Sequence, residues 1–199
     1  MIRKWLISII VLILLLAGAG ALAIWYVKPE EDLNLNYDPV PIVDRALTMI
    51  RHLDTEFVLS EADINNIGKA TIRLHPDYSP DIRITGARFE LQEDKLVAHV
   101  NVMYKKRIPA GLVITYGLRW SEPNVVAVVE EAKLKGITLK KSDFDNMEIP
   151  LSSELPKLVH IQKLDVQGKS VVITIRKPTL RELRNLLSQE LKKQVGWTD

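Results

Sequence analysis

The sequence predicts an α+β fold: a single N-terminal transmembrane helix followed by an antiparallel β-meander with helices packed on one face. Three observations predict it. An uncharged apolar run of 23 residues, Trp5 to Val27, opens the chain. From Ile82 onward apolar residues recur at every second position in segments joined by turn sequences, the signature of consecutive half-buried strands. Helical spacing is confined to stretches before and after those segments, which places helices together on the sheet rather than between strands.

At 1.5 Å rise per residue, Trp5 to Val27 spans roughly 35 Å, enough for a hydrocarbon core of about 30 Å. Arg3 and Lys4 precede it; Lys28, Glu30, Glu31 and Asp32 follow. The positive end stays in the cytoplasm by the positive-inside rule, so the remainder emerges outside the cell membrane. Trp5, Trp25 and Tyr26 mark the headgroup levels. A second reading stays open, because Ala17-Gly18-Ala19 and Ala21-Leu22-Ala23 are triplets of the kind a signal peptidase cuts. The predicted organisation is a signal-anchor over 1–27, a polar proline-containing spacer over 28–41 and an extracytoplasmic α+β domain over 42–199. Pro29, Pro39 and Pro41 stiffen the spacer.

In the body, Ile42, Val43, Ala46, Leu47, Ile50 and Leu53 fall at helical spacing and predict a helix over Pro41 to Leu53. Phe57-Val58-Leu59 runs into Ser60-Glu61-Ala62-Asp63. Ser60 can cap a helix that Asp63 closes from the third position, and Leu59 can staple to Ile64. That helix is expected to end near Gly68. Ile82, Ile84, Phe89 and Leu91 predict a strand pair or a strand bulged at Gly86. Leu96 to Tyr104 and Leu112 to Trp120 alternate, with turns at Gln92 to Lys95 and Ser121 to Asn124. Val125 to Val129 is apolar throughout and predicts a strand covered on both faces. Val159 to Val166 and Val171 to Ile175 form a hairpin across Gln167-Gly168-Lys169. After Pro178, the capping box Thr179 to Glu182 opens a basic helix carrying Leu180, Leu183, Leu187, Leu191 and Val195.

Charge narrows the function. Of the 27 Lys and Arg, only Arg3 and Lys4 precede position 28, leaving 25 against 25 Asp and Glu in the body. A formally neutral body argues against nucleic acid as a partner, because that affinity comes largely from phosphate neutralisation. With no cysteine there is no disulfide, thiolate metal site or cysteine nucleophile. His52, His75, His99 and His160 have no metal-ligand spacing. No nucleophile elbow or phosphate loop occurs. The sequence implies no cofactor, no metal and no catalytic residues. Two basic groups, Lys105-Lys106-Arg107 and Arg181 with Arg184, are candidates for contact with an anionic surface. Strands apolar on both faces suggest a groove for an apolar ligand, with Leu112, Ile114, Tyr116, Val126 and Val128 as its lining.

The layout resembles the YpmS-like family of Gram-positive, single-pass membrane-anchored proteins of unassigned function. The resemblance rests on the basic N-terminus and span, the spacer, the stretch Phe57-Val58-Leu59-Ser60-Glu61-Ala62-Asp63-Ile64-Asn65, and the meander after it. The chain adds a helix before Phe57 and a basic helix after Pro178. The resemblance implies no catalytic residues. The function expected is a non-enzymatic, membrane-anchored extracytoplasmic binding domain for lipid or another apolar ligand, with the membrane as partner. The alternative is an accessory protein–protein interaction subunit of an envelope or secretion assembly.

Overall fold

The computed structural model describes residues 2–52, 54–122, 124–149 and 160–176, together with 179 and 184. The chain is α+β, as the pattern predicts. Helix α1 (Ile2–Val27) is apolar and, over Ile10–Val27, none of it is buried in the body. It is long and apolar enough to cross a bilayer, either as an anchor or as a signal sequence. Helix α2 (Ile42–His52) follows, then β1 (Glu56–Ser60) and α3 (Glu61–Leu74). The meander comprises β2 (Asp77–Ser79), β3 (Ile82–Gln92), β4 (Lys95–Tyr104), β5 (Ile108–Ser121) and β6 (Asn124–Leu134). It closes with the short β7 (Ile137–Thr138), a 3-10 turn (Lys141–Asp143) and β8 (Met147–Ile149), before the hairpin β9 (Ile161–Gln167) and β10 (Ser170–Ile175).

Among the described residues the strands make two antiparallel sheets. Seven form a half-barrel in the order β2-β3-β4-β5-β6-β7, with β8 also on β6. The other three are ordered β1-β10-β9, so β1 pairs with a strand from the far end of the body, Phe57 opposite Ile173. Among the described residues, both sheets and helices α2 and α3 feed one core. Ala46 and Met49 of α2, Phe57 and Leu59 of β1, Phe89 and Leu91 of β3, Tyr116 of β5, Val129 of β6 and Ile173 of β10 all belong to it.

Two bulges keep the alternation in phase with that core. The β3–β4 register slips between Ile84 and Gly86, at the glycine the sequence marks. The β5–β6 register slips between Thr115 and Tyr116, where Glu130 is the extra residue of β6. Glu130 therefore turns out to Lys95 at 2.9 Å, and Ala132 returns to the core.

Helix α3 opens as expected. Asp63 donates its backbone N–H to Ser60 Oγ at 3.2 Å, and Asp63 Oδ2 accepts the Ser60 N–H at 3.0 Å. It does not end at Gly68 but runs on to Leu74, because Gly68 lies against the Phe89 ring with no room for a side chain. Packing overrides the intrinsic cost of a helical glycine. The free edge of β3 is covered in the same place. Asn65 Oδ1 accepts the Phe89 N–H at 3.0 Å and Glu61 Oε2 accepts the Leu91 N–H at 2.8 Å. An exposed strand edge is thereby blunted. Lys169, in the β9–β10 turn, donates its Nζ to Glu61 Oε2 at 2.8 Å and accepts the Glu61 N–H on its carbonyl at 2.9 Å. The first turn of α3 thus ties the two sheets together.

That junction makes the fold acid-sensitive. The Lys169 ammonium, helped by the Leu91 N–H, holds the Glu61 carboxyl below its ordinary pKa. At Asp63 burial is the largest influence and pushes upward, but Arg45 and the two Ser60 donors outweigh it and the net shift is downward. A carboxylate whose folded pKa is depressed contributes stability above its unfolded value, and loses it as pH falls through the folded one. Urea midpoints are expected to hold near neutrality and to fall below about pH 4.5. In a Glu61→Gln/Asp63→Asn double variant the neutral-pH midpoint should drop and the acid limb flatten. An unchanged acid limb in that variant would remove these two groups from the account.

The sequence-predicted helix after Pro178, with Leu180, Arg181, Glu182, Leu183 and the residues beyond Arg184, lies outside the described residues, as do Val159 and the 150–158 stretch.

Candidate functional site

The feature that joins α1 to the body is the segment 28–41. It has neither helix nor strand, in keeping with its prolines, but it is not a free tether. It is a strap laid across the outer face of the large sheet, opposite the core. Gly86 of β3, Asn101 of β4 and Gly111 of β5 are direct cross-strand partners and form one transverse row. The two glycines leave space on either side of Asn101, and main chain fills it. Leu33 lies over Gly86, and Pro29 lies over Gly111, where its Cα would be 3.0 Å from an added Cβ. Between them, Asn101 is buried and donates its Nδ2–H to the Glu31 carbonyl at 2.7 Å.

Side chains and edge hydrogen bonds fasten the strap along its length. Arg88 grips both carboxylate oxygens of Glu31, at 2.7 and 2.9 Å, and also pairs with Glu90. Both contacts come from one nitrogen, Nη2, so this is a charge-assisted, bifurcated hydrogen bond. The Ala87 N–H donates to the Asn34 carbonyl at 3.3 Å, continuing along the β3 edge the cover that α3 provides. Farther on, Asn66 of α3 accepts the Asp38 N–H at 3.2 Å, and the Arg73 guanidinium stands 5.8 Å from the Tyr37 ring. His99 sits beneath the strap, partly buried. Burial, with Arg88 adding to it and Glu31 opposing, holds its imidazole below the ordinary pKa.

At the other end, the strap runs back into α1 without slack. The Lys135 ammonium lies 5.3 Å from the Tyr26 ring and 3.7 Å from the Glu30 carboxylate. A Cβ on Gly136 would stand 3.5 Å from the Tyr26 hydroxyl. A cavity of about 70 Å³ remains beside this junction, between Lys28, His99, Val113 and Lys135. A larger open cleft of about 460 Å³ lies between Asp77, Asp81, Arg83, Met103 and Lys106. Its rim is charged.

The chain matches no family model, no curated protein and no solved structure. The site therefore rests on its geometry.

The five residues read as one groove lining fall on opposite faces. Leu112, Ile114 and Tyr116 share the core face, opposite Val100, Ala98 and Leu96 of β4. They pack in the interior. Burial pushes the Tyr116 phenol up to about 12, with Tyr78 adding a smaller push. Val126 and Val128 point the other way, opposite Arg119 and Gly117, and are half-buried on the outer face. Period-two reading places residues on faces only within one unbroken strand, and neighbouring strands need a register that the sequence does not supply. Lys105, Lys106 and Arg107 form the exposed tip of the β4–β5 hairpin, with Lys105 and Lys106 in left-handed backbone. Arg184 is an exposed helical residue; Arg181 lies outside the described residues. Among the described residues no cluster of three or more His, Asp or Glu could hold a metal ion.

The strap contacts are what sequence reading misses. A signal was present at one position: a glycine inside a strand pattern often marks a bulge or close approach of another backbone, and Gly86 stands inside the Ile82 to Leu91 pattern, whereas Gly111 falls just before the alternation that starts at Leu112.

Proposed function

We propose that the chain is a single-pass membrane protein with a cytoplasmic N-terminus, whose body is a non-enzymatic extracytoplasmic binding domain for a lipid or another amphipathic ligand. One observation carries this reading. The helix that can span the bilayer continues into a strap locked onto the sheet, so the body keeps one attitude to the membrane. A domain held this way works on what the bilayer presents. The YpmS-like layout is of the same kind. The ligand surface this geometry favours is the outer face around Val126 and Val128, half-buried apolar positions opposite the core and toward the end of β6 away from α1, where a lipid would be held once drawn out of the bilayer. Leu112, Ile114 and Tyr116 support that face from behind.

The test uses the full chain extracted into nanodiscs with its native lipid. Enrichment of one lipid class over the bulk membrane is expected, falling several-fold in a Val126→Asp/Val128→Asp variant that still folds. No enrichment, together with a reproducible crosslink from those valines to one envelope protein, would replace this reading with that of an accessory interaction subunit. The orientation has its own check. Protease added to intact spheroplasts is expected to digest the body, and protection of the body would reverse the topology.

A further inference from the structure

We propose that the β6–β7 turn, Lys135 to Ile137, is a second bilayer contact, resting in the headgroup layer beside the exit of α1 with lipid as its partner. The inference depends on α1 being a retained membrane span. It adds a membrane-facing surface that lies apart from the valine face above.

The depth of the turn follows from its neighbours. Tyr26 ends the apolar run, and amphipathic rings in that position sit at the membrane–water interface. Lys135 stacks its ammonium 5.3 Å from that ring, and Gly136 faces the Tyr26 hydroxyl. Pro29 on Gly111 and Glu31 on Arg88 and Asn101 hold the chain against the sheet directly after the helix. Whatever depth Tyr26 takes, the turn shares it.

The chemistry of the turn suits that depth. Ile137 is an exposed large hydrophobic side chain, 49% accessible, on a two-residue strand with both positions exposed. In water this is unfavourable, and at the acyl boundary it is stabilising. Lys28 is exposed at the end of the span, and Lys135 reaches past the Tyr26 ring to Glu30 at 3.7 Å. Long cationic side chains at this level lay their stems along apolar surface and put the charge among phosphates. Glu30 neutralises part of that charge, so the contact should depend more on Ile137 than on anionic lipid content. The β5–β6 turn provides a contrast. It lies at the other end of β6, whose 11 residues at ~3.3 Å each put it roughly 33 Å away.

The chain has no cysteine, so a single introduced thiol reports one place. Ile137→Cys, Leu14→Cys and Glu122→Cys variants of the full chain would each carry an environment-sensitive dye. They would be placed in nanodiscs of phosphatidylethanolamine and phosphatidylglycerol containing headgroup-labelled quencher lipid. The dye at 137 is expected to be blue-shifted and quenched several-fold more than the dye at 122, and the dye at 14 to report the acyl interior. Discs of phosphatidylcholine alone should give nearly the same result at 137. A dye at 137 as wet as that at 122, with 14 still buried, overturns this proposal and leaves the anchor standing. Water at both 137 and 14 overturns the anchor and the proposal together.

Discussion

Replacing Phe89 by alanine is expected to cost about 3–5 kcal/mol, the range for emptying a buried aromatic site. The ring is 4% accessible and lies at the middle of the contact between β3 and α3. A Cβ placed on Gly68 would stand 2.5 Å from it. The backbone N–H of the same residue is held by Asn65, so the strand cannot easily slide to fill the space. The partnership gives a sharper test than the single loss. Gly68→Ala alone should destabilise, because the methyl group and the ring compete for one volume and overpacking costs typically ~1–3 kcal/mol. In the Phe89→Ala background the same change should become neutral or favourable. The methyl group then enters the vacated space, and alanine is the better helix former by about 1 kcal/mol. A double-mutant cycle by urea unfolding measures this coupling. Additive effects would mean that Gly68 is there for a reason other than the ring.

Gly168 and Gly68 illustrate how much of this fold is legible in sequence and where legibility stops. Local rules locate most elements. The capping box at Ser60 and Asp63, the helical spacing that gives α2, and the turn at Gly168, with its φ of 59°, each follow from residues within a few positions of one another, although the spacing puts Val43 in the stripe and omits Met49, whereas Val43 is exposed and Met49 buried. What fails is distant. Phe57-Val58-Leu59 reads as a short apolar stretch, yet it is an edge of the sheet completed by β10, because a strand partner more than a hundred residues away leaves no local mark. Gly68 reads as a stop, since only tertiary packing distinguishes a glycine that ends a helix from one that admits a ring. The segment 28–41 reads as a spacer because its polarity and prolines are those of a linker. Its polar groups are instead spent on the sheet, with Glu31 on Arg88 and Asn101, and Asn34 on Ala87. The candidate site has the same limit. Alternation assigned Leu112, Ile114, Tyr116, Val126 and Val128 to apolar faces. The register of β5 against β6, with its bulge at Glu130, decides which face each one shares.

Gly86→Val is expected to unseat the strap. A branched residue is otherwise favoured in a strand, and Gly86 has no left-handed backbone that would demand glycine. If nothing lay above it, valine would be neutral or stabilising. The Leu33 carbonyl and Cβ occupy the space that the new side chain needs. Main chain cannot yield there without drawing Glu31 off Asn101 and Arg88, and that leaves a buried amide unpaired, at about 1–3 kcal/mol in addition to the steric cost. Two readouts follow. The urea midpoint of the variant should fall, and residues 28–41 should become accessible to protease under conditions where the wild-type strap resists. Gly111→Ala should produce the same changes more weakly, because its neighbour is Pro29 at 3.0 Å and that contact can relax by a few tenths of an ångström. A variant with the strap freed also separates anchoring from attitude. It keeps α1, so under the proposed single-pass reading it stays in the bilayer, but the body can then turn. Ligand enrichment on the Val126 face that survives in Gly86→Val would show that proximity to the membrane suffices. Enrichment lost in that variant, with the body still folded, would show that the fixed attitude is what the row of Gly86, Asn101 and Gly111 exists to provide.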